Sequence, residues 1–81
     1  MPKPRSLYGE KNLIGKRLVE LRKTNNLSQR DLADKLQLAG FDIDRNVITR
    51  IETHKRYVTD IELQALVRIL NTTYNYLIEG K

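Results

Sequence analysis

Between Ser28 and Glu52 the chain carries two short apolar stripes at helical spacing, each behind a residue able to cap a helix. Leu32, Ala33 and Leu36 follow Ser28, and Val47, Ile48 and Ile51 follow Asp44. The second segment, Arg45 to Glu52, separates into two faces. Arg45, Asn46, Thr49 and Arg50 pair at i, i+4 away from the apolar side, and Thr53 continues their row. Guanidinium, carboxamide and hydroxyl groups on a short helix are donors that match guanine and adenine edges in a major groove. The same face would equally suit a solvated amphipathic helix, so the rest of the chain has to decide.

The remaining elements read the same way. Asn12 is placed to cap a first helix over about Leu13–Asn25, with Ile14, Leu18 and Leu21 inward. Asn25-Asn26 stops it, and Leu27 plugs the gap before the next helix. Ser28 and Asp31 form a reciprocal cap for helix two, and Gly40 is the natural closing residue after Ala39. Thr59-Asp60-Ile61-Glu62 is a second capping box, opening a helix over Asp60–Leu70 with Leu63, Leu66, Val67 and Leu70 inward. Thr73 starts a last helix, Tyr74–Glu79, closed by Gly80. The expectation is five helices, no strand, and one domain over 12–81 preceded by a basic, mobile arm over 1–11.

At 81 residues, one small core is all the chain can build. Its net charge of +5 is uneven. Residues 1–23 hold seven Lys/Arg against Glu10 and Glu20, residues 24–44 are net acidic, and residues 45–57 hold Arg45, Arg50, Lys55 and Arg56 against Glu52. Two basic blocks around an acidic one point to a surface that meets a polyanion. One His and no Cys argue against a metal site, and no cofactor is expected. No apolar run is long enough for a bilayer and no secretory signal is visible, so no membrane partner is expected and a reducing cytoplasm fits.

The runs LSQRDLADKL, RNVITRIETHKRYV, TDIELQALVRILN and TYNYLIEG resemble the helix-turn-helix domain of the phage repressor and Cro kind, the XRE family. The similarity runs from about Ile14 to Gly80, on Leu27-Ser28-Gln29, Ala33, Ile48 and Arg50-Ile51-Glu52 followed by a basic loop. It implies a compact, all-α, five-helix repressor-like fold, bacterial or phage-encoded, in which helix three reads double-stranded DNA. Arg45, Asn46, Thr49 and Arg50 match the base-reading positions. Gln29, Lys55 and Arg56 match positions that hold the DNA backbone, Gln29 at a helix N-terminus where an anion is favoured, and Ser28, Thr53, His54 and Tyr57 beside them are expected to contact the backbone as well. Ala33 matches the small residue where helices two and three approach. The family also joins the positions held here by Arg22 and Glu52, as an exposed pair contributing about 0–1 kcal/mol. In one respect the chain departs: Gln37 stands where the family has the turn glycine, and about five extra residues precede Ile43. Helix two is then a turn longer, or the connection is a true loop.

The expected function is therefore sequence-specific transcriptional regulation, most simply repression. Catalysis is not expected, because His54 has no sequence-adjacent carboxylate partner. The alternative is a small helical protein-interaction module, antitoxin- or adaptor-like, working through its C-terminal apolar residues. Tyr74, Tyr76, Leu77 and Ile78 crowd one short helix and are candidates for a weak homodimer contact.

Overall fold

A computed structural model describes residues 9–81, so most of the basic arm, residues 1–8, lies outside the described residues. Over the described residues the chain forms five helices and no strand: α1 (Gly15–Thr24), α2 (Gln29–Leu38), α3 (Arg45–Glu52), α4 (Asp60–Ile69) and α5 (Tyr74–Glu79). No helix among them is long and apolar enough to cross a membrane.

Local chemistry sets most of the helix starts. The hydroxyls of Ser28, Thr59 and Thr73 and the carboxylate of Asp44 each accept an amide of the first turn. For α2 and α4 the box closes, with Asp31 and Glu62 accepting from the amides of Ser28 and Thr59. Each such cap contributes about 1 kcal/mol to a helix too short to stand alone. α1 is the exception. It begins at Gly15, two residues later than the spacing predicts, with Leu13 and Ile14 outside it. Asn12 does accept the Gly15 amide, at 2.9 Å. Its own amide group, however, reaches back across the fold to the Ile51 and Arg56 carbonyls.

Four helices end alike. After α1, α2, α3 and α4 comes a left-handed residue, respectively Asn26, Gly40, His54 and Asn71. In each case the next residue's amide returns to a carbonyl in the last turn, as Leu27 to Arg22, Phe41 to Leu36, Lys55 to Arg50 and Thr72 to Val67. Leu27 and Phe41 pack against the core directly after their stops. Helix two does run past Gln37, to Leu38, and a connection over 39–44 follows. Ile43, 3% exposed, anchors that connection.

The core is assembled from one or two fully buried side chains per helix: Leu18, Leu32, Leu36, Ile48, Ile51, Leu66 and Leu77. α3 packs on α2 and α1, α4 on α2 and α5, and α5 closes back on α1. Leu77 is a correction. The sequence groups it with residues left for a partner, but it is wholly buried, leaving Tyr74 exposed and Tyr76 and Ile78 half-buried. Arg17 of α1 fastens the last helix by donating Nη1 to the carbonyls of Leu77 at 3.1 Å and Ile78 at 2.9 Å. A cation at a helix C-terminus is favourable on dipole grounds as well.

Candidate nucleic-acid interface

α3 places its outer row as the spacing predicts. With Ile48 and Ile51 fully buried, Arg45, Asn46 and Arg50 are turned outward and exposed, and Thr49 between them is half-buried. Among the described residues neither Arg45 nor Arg50 pairs with an acid. Asp44, which would repel phosphate, is engaged by the Val47 amide at 2.9 Å as the helix cap.

Behind this face lies a polar chain of four side chains. Arg22 donates Nε to Oε2 of Glu52 at 2.7 Å and Nη2 to Oε1 at 3.2 Å, and Nη1 to the Leu27 carbonyl. Gln29 donates Nε2 to Oε1 of Glu52 at 2.8 Å, and its Oε1 accepts the Thr49 hydroxyl at 3.0 Å. A carboxylate only accepts, so Glu52 dictates which end of the Gln29 amide faces it and which faces Thr49. The expected Arg22–Glu52 pair is thus present, but it is not an exposed one. Its side chains are 12% and 5% exposed, and it ties α1 and the N-terminus of α2 to the end of α3.

The other residues expected at a DNA backbone divide. Ser28 is exposed, and its hydroxyl already accepts the Asp31 amide. Exposed Thr53 donates back to the Thr49 carbonyl. Lys55 is exposed and, among the described residues, pairs with no acid. Arg56 is held differently: its Nη1 lies 2.7 Å from Oε1 of Glu62. That hydrogen bond pushes the Arg56 guanidinium further up. Burial alone would raise the Glu62 carboxyl, but the bonds from Arg56 and the Thr59 amide outweigh it and hold Glu62 below its ordinary value.

His54 has partners that its neighbours in sequence do not suggest. Its left-handed backbone closes α3, and Nδ1 lies 3.0 Å from both the Asn12 carbonyl and a Glu10 carboxylate oxygen. Two acceptors there mean that Nδ1 carries the proton. The ring packs beside Gly15 rather than standing in solvent.

Three residues of this region escape sequence reasoning. Asn12 ties the end of α3 to the basic loop, Gly15 lets α1 approach α3, and Lys11 joins the loop. The Lys11 amide donates to the His54 carbonyl at 3.1 Å, and its ammonium lies 5.8 Å from the centre of the Tyr57 ring. No local pattern marks these roles, although Asn12 is legible as a cap, since each of these contacts spans about half the chain.

Among the described residues no group of three or more His, Cys, Asp or Glu could hold a metal ion. A helix-turn-helix family model matches residues 18–77. No curated protein matches the chain.

Proposed function

Since the chain belongs to the XRE-type helix-turn-helix family, that of the phage repressors and Cro, and is on that ground a DNA-binding regulator, we propose that it represses transcription by reading an operator with α3. The observation that carries this reading is the outward row itself. Two guanidinium groups, paired with no acid among the described residues, and a carboxamide stand exposed on a helix whose opposite side buries Ile48 and Ile51.

In the proposed complex α3 lies in the major groove. Arg45 and Arg50 have the fork geometry to donate twice to guanine, and Asn46 matches the N6 and N7 edge of adenine. Lys55, which pairs with no acid among the described residues, contacts phosphate, and the N-terminus of α2, opened by the exposed Ser28, faces a second phosphate, with the Gln29 side chain held behind it by Glu52 and Thr49. Arg56, Tyr57, Thr53 and His54 shape that loop more than they touch DNA, because each is engaged within the fold. Their share in backbone holding is indirect. Two copies on a palindromic site would set their reading helices about 34 Å apart. Such a protein works in the cytoplasm and needs no cofactor.

The test is a binding panel against a site selected from random duplex DNA and its single-base variants. Arg45→Ala, Asn46→Ala and Arg50→Ala should each cost roughly 1–3 kcal/mol at the preferred site and relax preference at one or two base pairs. Lys55→Ala should weaken all sequences alike and lower the salt slope by about one unit. Uniform losses with unchanged base preference for the three α3 variants would remove α3 as the reader.

A further inference from the structure

We propose that α3 meets the groove at Thr49 with a methyl group, and that this methyl reads the C5-methyl of a thymine. The inference rests on α3 being the reading helix and goes on to assign which chemical group one of its positions presents.

A threonine on a reading face offers two different ends. Its hydroxyl can donate to a base acceptor, or its methyl can lie against an apolar edge. Here the hydroxyl is already committed. Oγ1 lies 3.0 Å from the Arg45 carbonyl, one turn back, and 3.0 Å from Oε1 of Gln29 on the neighbouring helix. It has a single proton to give, and both of these neighbours only accept.

The second acceptor does not rotate away at little cost. The Gln29 oxygen faces Thr49 because the Gln29 nitrogen faces Glu52, and Glu52 is fixed by Arg22 at 5% exposure. A base acceptor could recruit the Thr49 proton only by leaving the Gln29 and Arg45 oxygens without it. With Oγ1 turned toward the Arg45 carbonyl and Gln29, the end of the side chain that this assigns to the groove is the methyl, on the same row as the exposed Arg45, Asn46 and Arg50. In the major groove only thymine presents a methyl of its own. Thr49 is thus a specificity-determining contact of apolar kind, and Gln29, Glu52 and Arg22 are positioning residues that keep its hydroxyl turned inward.

The experiment uses the whole chain and its selected duplex, with each thymine replaced in turn by deoxyuridine, which lacks only the methyl. The wild type should lose about four-fold in affinity at one thymine of a half-site, the worth of one buried methyl. Thr49→Ser keeps the hydroxyl alone. It should show the same loss on unmodified DNA and no further loss with deoxyuridine at that position. Thr49→Val keeps the branched methyl shape without the hydroxyl and should retain the deoxyuridine effect, with melting curves confirming that both variants are folded. A Thr49→Ser protein that still senses the same methyl, a Thr49→Val protein that no longer does, or a wild type blind to deoxyuridine throughout overturns the proposal. The panel on Arg45, Asn46 and Arg50 separates the two readings. If those variants change base preference and the deoxyuridine series fails, only the Thr49 assignment falls; if they do not, reading by α3 falls and takes it along.

Discussion

Gly15 occupies a place where no side chain fits. A Cβ there would lie 2.5 Å from the Ile51 carbonyl oxygen and 2.9 Å from the His54 ring. Helix propensity alone favours alanine at such a position by about 1 kcal/mol. The obstruction is backbone, which cannot swing aside as a side-chain tip would, so overpacking of roughly 1–3 kcal/mol should win. Gly15→Ala is therefore expected to lower the melting temperature, and a rise would show that α1 can shift off α3 without loss. Arg22 has the opposite character, since its removal leaves a charge with too few partners. Among the described residues Glu52 would keep only the Gln29 donor in a nearly buried setting, and Arg22→Ala should cost roughly 3 kcal/mol by denaturant unfolding. A loss below about 1 kcal/mol would mean that the pair behaves as an exposed one after all.

At the scale of elements, α4 offers a test through acidity. Glu62 completes the Thr59 cap and receives Arg56, and its folded carboxyl sits below its ordinary value of 4.5. A depressed carboxyl contributes stability that is fully present above the unfolded value and disappears as pH falls through the folded one. Unfolding midpoints should accordingly drop below about pH 4.5, Asp31 adding in the same direction through its Ser28 contacts. Glu62→Gln should cost about 1 kcal/mol at neutral pH and flatten part of that acid limb. An acid limb unchanged in the variant would assign the loss to other carboxylates. Caps of this kind explain why so much of the fold can be read directly: Ser28, Asp44, Thr59 and Thr73 each act on the amide three residues on, and α3 and α5 have the bounds their sequences predict. The start of α1 could not be read so, because what holds Leu13 and Ile14 off the helix comes from Ile51 and Arg56, some forty residues on. The candidate site divides along the same line. The outward row of α3 follows from periodicity, whereas the inward turn of His54 and the engagement of Arg56, Gln29 and Thr49 depend on neighbours that only the folded chain supplies.

For the molecule as a whole, the exposed large apolar side chains among the described residues are Leu13, Leu38, Ile61 and Tyr74, and the last two come together where α4 meets α5. Ile61 is 67% exposed and Tyr74 44%, around a shallow depression with Asp60, Leu63 and Gln64. A patch of that extent suits a weak association between copies rather than an obligate dimer. Sedimentation should find mostly monomer at low concentration and a dimer favoured by palindromic DNA. Tyr74→Ala should lower the dimer fraction without moving the melting temperature, while Leu77→Ala should destabilise by about 2–5 kcal/mol as a core truncation. A monomer at high concentration that binds DNA one-to-one, without a repeated half-site, would contradict this assembly. The way α5 is fastened has a consequence for how such a surface can evolve. Arg17 holds the helix by main-chain oxygens of Leu77 and Ile78, atoms that every amino acid provides. Mutation at the outward positions of α5 therefore leaves that attachment intact, and a lineage can exchange one binding companion for another there while the rest of the domain keeps its shape.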